Sequence, residues 1–294
     1  MTVSTDRPIT VFENERRRLT ALAYRMTGSV AETEDILQQA WLRFSKQNLA
    51  TIESPPRWLS TVVTRLCLDH LTSARQRRET YVGAWLPEPL VEASPDDPER
   101  AQIVAEEVGI ALVLTLETLS PEMRAAFILR DAFDYSYTEI SDIIGQSSAT
   151  CRQFVSRARR RLTGIDMPAE IPHLQEAAPL IEAFWQASRE GDMQRLLDLF
   201  AEDIEVHTDG GGKVPASINI LQGRWRAARL FTGIAQKWGG PVPPCPPLCR
   251  INGSPGVISV ETGNIVQTTA FDFKDHKISR IWIMRNPEKL GHLA

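Results

Sequence analysis

The stretch from Tyr135 to Leu162, YSYTEISDIIGQSSATCRQFVSRARRRL, limits the fold most, because two helices and the turn between them can be read from it residue by residue. Ser136 and Glu139 have the S-x-x-E spacing of a capping box, which starts a helix. Ile140, Ile143 and Ile144 give that helix an apolar stripe, and Gly145 can take the left-handed conformation that ends it. Ser147 or Ser148 can cap the next helix, in which Cys151, Val155, Ala158 and Leu162 share one face. The opposite side carries Ala149, Arg152, Gln153, Ser156 and Arg160. Arginine and amide side chains pair with guanine and adenine edges in a DNA major groove, so this is a candidate recognition helix. A helical hairpin with a solvated basic face would have a similar pattern. Against that stand five arginines and no acid between Gln146 and Thr163, in a chain of formal net charge −4.

The 294 residues suffice for two or three small domains. No apolar run approaches the roughly 20 residues that span a bilayer. The polar start MTVSTDRPIT lacks a signal-peptide core, so a cytoplasmic location with no membrane partner is expected. Cys67 and Cys151 read as small core residues on helices. Cys245 and Cys249 fall in the proline-rich loop PVPPCPPLC, with no CxxC or histidine partner nearby. No metal or other cofactor is expected.

Residues 8–80 read as a helical domain. One helix runs from Arg16 to Met26 with Leu19, Leu22, Ala23 and Met26 inside, and Thr27-Gly28-Ser29 breaks it. A second, from about Ala31 to Lys46, buries Ile36, Leu37, Ala40, Trp41 and Phe44 and displays Asp35, Gln38 and Gln39. After Pro55 and Pro56 a long helix is expected from Arg57 to about Arg75. Its stripe runs through Trp58, Leu59, Val62, Leu66 and Leu71 to a tail of Arg75, Arg77 and Arg78. Residues 81–101, rich in proline, read as a linker. From Leu86 to Glu122 there are nine acids against Arg100 alone. A helical unit starting near Pro98 leads into a second domain, 102–165, which contains the helix-turn-helix. From 170 to 294 the pattern changes class. Two amphipathic helices precede the alternating segments IEVHTD, GVISVETG, IVQTTAFDF and ISRIWIMRN, which predict a curved antiparallel sheet packed by helices. The expected fold is multidomain: two all-α domains followed by an α+β domain.

Two helical units joined by a linker, the second ending in a helix-turn-helix, resemble an extracytoplasmic-function sigma factor of the bacterial sigma-70 family. EDILQQAWLRF resembles the region 2 helix that docks on the RNA polymerase clamp, and PRWLSTVVTRLCLDHLTSARQRR the helix that meets the −10 promoter element. LSPEMRAAFILRDAFDYSYTEISDIIG with SSATCRQFVSRARRRL resembles region 4, which reads the −35 element. One departure is Arg65, where many relatives carry asparagine. The extension from about residue 170 resembles the SnoaL-like cone found in a subgroup of these factors. WLPEPL at 85–90, DGGGK at 209–213 and NPEKL at 286–290 are similar to that subgroup's markers, with Glu288 one methylene longer than the more usual aspartate.

The resemblance implies core RNA polymerase and promoter DNA as partners and an extension that modulates activity in cis. For the −35 element it points to Ser148, Arg152, Gln153, Ser156, Arg157 and Arg160, with Arg157, Arg159 and Arg160 on phosphate rather than bases. For the −10 element it points to Arg57, Trp58, Arg65, Arg75, Arg77 and Arg78, beside a base pocket between the 47–56 loop and the following helix. Trp58 also fits as core. For polymerase it points to Asp35, Gln38 and Gln39. A regulatory contact would join Trp85, Leu86 and Pro87 to Asp209, Gly210, Gly211, Gly212 and Lys213 and to Asn286, Pro287, Glu288, Lys289 and Leu290. The linker carboxylates Glu88, Glu92, Asp96 and Asp97 would repel DNA from the free protein. SnoaL-like cones bind small molecules, so a ligand of the C-terminal domain is a further possible partner. His207 and Asp209, on one face of a strand, are the acid–base candidates of an enzyme reading. DGGGK lacks P-loop spacing, and no catalytic residue is assigned. Two alternatives stay open: a DNA-binding regulator whose C-terminal domain senses a small molecule, and an isomerase or cyclase fused to a DNA-binding module.

Overall fold

A computed structural model of the chain describes residues 7–78, 81–91, 109–162, 172–238 and 240–293, without the side chains of 73–78 and 238. The chain forms two compact units, 1–80 with 111–166 and 81–110 with 167–294.

The first unit is all-α: α1 Pro8–Thr27, α2 Val30–Phe44, a 3-10 turn Leu49–Thr51, α3 Pro55–Arg78, α4 Ile110–Glu117, α5 Pro121–Asp131, α6 Tyr137–Ile144 and α7 Ser148–Leu162. α1 starts at Pro8, well before the expected Arg16, because a first-turn proline costs no hydrogen bond and Phe12 is buried. The same reason places Pro55 and Pro56 inside α3 rather than ahead of it. Gly28 ends α1 at φ 67, and Ser29 caps α2 by accepting from the Glu32 amide at 3.2 Å. α3 buries Leu59, Val63, Leu66, Cys67 and Leu71, while Val62 is only partly covered.

The helix-turn-helix forms as its residues dictate. Ser136 and Glu139 make the reciprocal capping box, and Gly145 closes α6 at φ 69. Ser147 Oγ accepts from the Thr150 amide at 3.1 Å to start α7. Cys151, Val155 and Ala158 are buried, but Leu162 is only partly so. Phe12, Leu22, Phe44 and Leu59 from the first helices share one apolar core with Leu116, Ile128, Ile140 and Val155 from the later ones.

The second unit is α+β: α8 Leu174–Glu190, α9 Met193–Leu199, β1 Phe200–Asp209, β2 Leu221–Gln222, α10 Arg224–Trp238, β3 Leu248–Ile251, β4 Ser254–Glu261, β5 Ile265–Lys274, β6 Lys277–Met284 and α11 Pro287–Leu290. The sheet order is β2-β1-β6-β5-β4-β3. The four alternating segments fall on β1, β4, β5 and β6, as expected. The all-antiparallel expectation needs correction, because β1 runs parallel to β6, with His207 opposite Trp282. β3 to β6 form a meander on tight turns, one held by Asp275 and His276 at positive φ. β1 is separated from that meander by a helical crossover through α10, which permits parallel pairing. Cys249, expected in a loop, lies in β3. Phe184 packs edge-on against Phe231 and Phe271, with centroids 4.9 and 5.2 Å away, at the centre of the core.

Residues 81–91 belong to this unit. Leu90 and Asn252 exchange hydrogen bonds, and Val91 bridges Ile251. The helical start near Pro98 and the carboxylates Glu92, Asp96 and Asp97 lie outside the described residues.

Candidate functional site

On α7 the buried stripe turns Arg152, Gln153, Ser156, Arg157 and Arg160 outward, all exposed, with Ser148 half-buried in the first turn. The Arg152 guanidinium lies 5.5 Å from the Tyr137 ring centroid, a contact that orients it without using its donors. Arg159 differs from the phosphate role expected of it. It donates to both oxygens of Asp131, at 3.1 and 2.6 Å. Arg161 donates to the Thr118 carbonyl at 2.9 Å. The outward face is therefore narrower than the five arginines suggest.

Two arginines of α3 have partners within the same unit. Arg65 donates through Nε to the Ile143 carbonyl at 3.2 Å and through Nη2 to that of Asp142 at 2.8 Å. These carbonyls belong to the last turn of α6, where helix acceptors lack intrahelical partners and the dipole favours a cation. Arg57 pairs with Glu139 and lies 5.7 Å from the Tyr135 ring centroid. Arg124 adds a buried contact, donating to Glu117 at 2.7 Å and to the Met26 carbonyl. Trp58 packs on Phe44 with centroids 5.6 Å apart and is half-buried against the core. It also lines a groove of about 570 Å³ with Arg43, Lys46, Gln47 and Arg65. That groove lies between α2 and α3. Of the 47–56 loop only Gln47 reaches it, because Leu49 and Ile52 turn into the core. The side chains of Arg75, Arg77 and Arg78 lie outside the description. Asp35, Gln38 and Gln39 are exposed together on α2.

In the second unit the three short segments meet around Asp209. Its side chain is fully buried. Oδ1 accepts from the Tyr81 hydroxyl at 2.6 Å and the Gly211 amide at 3.0 Å. Oδ2 accepts from the Leu86 amide at 2.9 Å and from Lys289 Nζ at 2.8 Å. Lys289 also donates to the Leu86 carbonyl at 2.6 Å, and its ammonium lies 4.4 Å from the Trp85 ring centroid. Asn286 donates to the Tyr81 hydroxyl at 2.9 Å and caps α11 through the Glu288 amide. Burial and the neighbouring Asp209 carboxylate push the Tyr81 hydroxyl well above the ordinary tyrosine range. Gly211, at φ 61, has no room for a Cβ because the Asn286 amide fills the space. Lys213 pairs with Glu288 at the exposed edge. Pro87, Pro287 and Leu290 flank the contact. Gly210 and Gly212 complete the loop, Gly212 against Val82.

Sequence reading missed Tyr81 and His292, whose Nε2 donates to the Pro89 carbonyl at 2.8 Å. No spacing rule pairs a tyrosine with an aspartate 128 positions away. The acid–base pair suggested by His207 and Asp209 is not assembled. Asp209 is occupied as above, and His207 bonds Glu205 at 3.0 Å and stacks on Trp282 at 4.3 Å. A cavity of about 700 Å³ does open in this unit, but β1 contributes Thr208 to it rather than His207 or Asp209. Strand alternation puts those two on the other face.

Among the described residues no helix is long and apolar enough to cross a membrane. The sigma-70 region 2 family matches residues 11–78 and sigma-70 region 4 matches residues 110–162. The chain is 35% identical to the ECF RNA polymerase sigma factor SigJ of Mycobacterium tuberculosis over 291 residues, covering 96% of this chain and 92% of that protein. It is 30% identical to the probable ECF RNA polymerase sigma factor SigI of the same species, covering 95% and 93%. The crystal structure of M. tuberculosis SigJ superposes with a TM-score of 0.77 at 34% identity, covering 96% of this chain and 98% of that one. With both sigma-70 regions in order and full-length relatives sharing the α+β extension, this chain belongs to the extracytoplasmic-function sigma factors of the sigma-70 family.

Proposed function

We propose that this chain binds core RNA polymerase, directs it to promoters through α3 at the −10 element and α7 at the −35 element, and is modulated in cis by its C-terminal domain. A cytoplasmic location follows from that work. The polymerase contact is assigned to Asp35, Gln38 and Gln39. Base reading is assigned to Arg152, Gln153 and Ser156, with Ser148, Arg157 and Arg160 on the backbone. For the −10 element, Arg57, Trp58, Arg65 and the basic end of α3 are assigned. The observation that carries the regulatory part is the buried Asp209 contact, which ties residues 81–86 to β1 and α11. A connection so held restricts the path between α3 and α4, and a two-state element of this kind responds to whatever favours its open form. No catalytic role is assigned, since the histidine and aspartate that suggested one lie off the cavity.

The test is transcription in vitro with core polymerase, comparing the full chain, the Asp209→Ala variant and a chain ending at residue 167. Start-site selection by the full chain, with output changed in either variant but polymerase still bound, is the expected result. Unaltered output in both would remove the modulating role. Binding of −35 DNA without any association with core polymerase would favour a one-component regulator instead.

A further inference from the structure

The cavity of the second unit has a composition that selects its occupant. Phe184, Trp185 and Phe231 supply aromatic wall, and Leu221, Val257 and Ile283 supply aliphatic wall. Its charged lining is Arg189, Arg226, Arg229, Lys237 and Arg285 against Glu261 alone, five cations to one anion and so a net charge of +4. Most polar groups of the wall are already satisfied by the protein. Thr208 Oγ1 exchanges hydrogen bonds with the Ser217 backbone at 3.0 and 2.7 Å. Ser188 donates to the Trp185 carbonyl at 2.9 Å. Arg189 uses both terminal nitrogens on Glu261, at 2.7 and 2.5 Å. Arg285 is different. Its Nη1 donates to the Pro215 carbonyl at 2.6 Å, while its Nε is buried without a hydrogen-bond partner. Among the described residues only Nη1 is thus engaged in a hydrogen bond, and a guanidinium is suited to hold a carboxylate. The cavity volume of about 700 Å³ lies within the roughly 300–1,000 Å³ usual for small-molecule sites.

We propose that this cavity binds a small aromatic or alicyclic carboxylate, its ring against the wall that Phe184, Trp185 and Phe231 form and its carboxylate on Arg285. Glu261 neutralises Arg189, which leaves the half-buried Arg285 as a lining cation for the ligand. The exposed Arg226 and Arg229 raise the local concentration of anions at the mouth. An uncharged compound of the same shape would gain nothing from the Arg285 charge or from the cationic rim. Hydride, acyl or proton transfer is no part of this assignment. The site is a binding site, with its polar groups arranged to hold charge.

The experiment uses the full chain without polymerase or DNA, so its outcome is separate from that of the promoter reading. Binding of 2-naphthoate and of the uncharged 2-naphthalenemethanol is compared by calorimetry. The expected result is saturable one-to-one binding of the carboxylate, at least tenfold tighter than the alcohol. Arg285→Gln should erase that preference and Arg285→Lys should keep part of it. Should Arg285→Gln fail to fold, Arg226→Glu and Arg229→Glu, both at the exposed mouth, should together weaken naphthoate about tenfold and leave the alcohol unchanged. Equal affinity for the two probes, no binding of either, or a preference indifferent to these substitutions would overturn the proposal.

Discussion

Two joints in this molecule place a cation on oxygen acceptors, one in each unit, in opposite surroundings. At Asp209 the carboxylate is fully buried and Lys289 is only 10% exposed, and tyrosine, backbone and ammonium donors fill both oxygens. At Arg65 the guanidinium is exposed and reaches carbonyls at a helix end that water could satisfy equally well. Its neighbour Arg57 is 62% exposed. Breaking a buried pair leaves a desolvated charge with no partner, whereas breaking an exposed one returns both groups to solvent. The first joint is therefore a fixed fastening and the second is able to open at small cost.

The largest expected effect is at the dry joint. Asp209→Ala strands the Lys289 ammonium, the Tyr81 hydroxyl and the Leu86 amide together, and should cost about 3–5 kcal/mol. The urea midpoint of the second unit and the exchange rate of the Leu86 amide both report it. Asp209→Asn with Lys289→Met removes both charges and should cost clearly less than the two single changes summed. Additive losses would mean that the two groups do not act as a pair.

The candidate recognition helix extends the comparison, because the proposed roles of Arg152 and Arg157 lie on DNA outside the chain. Arg152→Ala should cost about 1–3 kcal/mol of discrimination at a single −35 position. Arg157→Ala should weaken all sequences alike and flatten the salt dependence. Equal losses at every promoter position for Arg152→Ala would move that residue from bases to phosphate.

How far each joint was legible beforehand follows from the range of its interactions. The capping box, Gly145 and the α7 stripe are local, and each residue acts on neighbours within about one turn, so spacing alone reveals them. The three short segments around Asp209 were grouped by resemblance, but nothing in their spacing says that Asp209 is buried or that Tyr81 closes over it. Arg65 reads as an open basic residue until α6 folds against α3. The parallel β1–β6 pair escaped for the same reason. Alternation reveals a strand's buried face and says nothing about the direction of its neighbour. The cavity was equally hidden, since Arg189, Arg285 and Phe231 come from three elements far apart in sequence.

A smaller effect separates the joints by pH. The Tyr81 hydroxyl is held above its ordinary range by burial first and then by Asp209. A raised tyrosine pKa means the folded state keeps its proton after the unfolded chain has lost it. The contribution is complete below about pH 10 and is lost as pH rises beyond that. Because the residue is only half-buried, solvent screening limits the loss to about 1 kcal/mol or less at pH 11. Tyr81→Phe should lose less stability than the parent between pH 8 and 11, measured as the difference in Tm. A parallel fall in both proteins would show that this hydroxyl does not titrate with the contact.

The smallest expected effect lies at the wet joint. Arg65→Ala frees the Ile143 and Asp142 carbonyls to water, and exposed cation contacts of this kind contribute about 0–1 kcal/mol. Tm should therefore move little, while added salt, which screens the parent's contact, should narrow the remaining difference. Exchange of the amides at the start of α7 tests the same joint locally, because loss of the Arg65 contact removes a restraint on the α6 end without touching the buried Ile140 and Val155. Faster exchange there with an almost unchanged global Tm is the signature of a joint able to open while the core stays intact. A global loss comparable with that of Asp209→Ala would mean that the contact at Arg65 is as firmly built as the one at Asp209, and that α3 and α6 part only when more of the first unit comes apart.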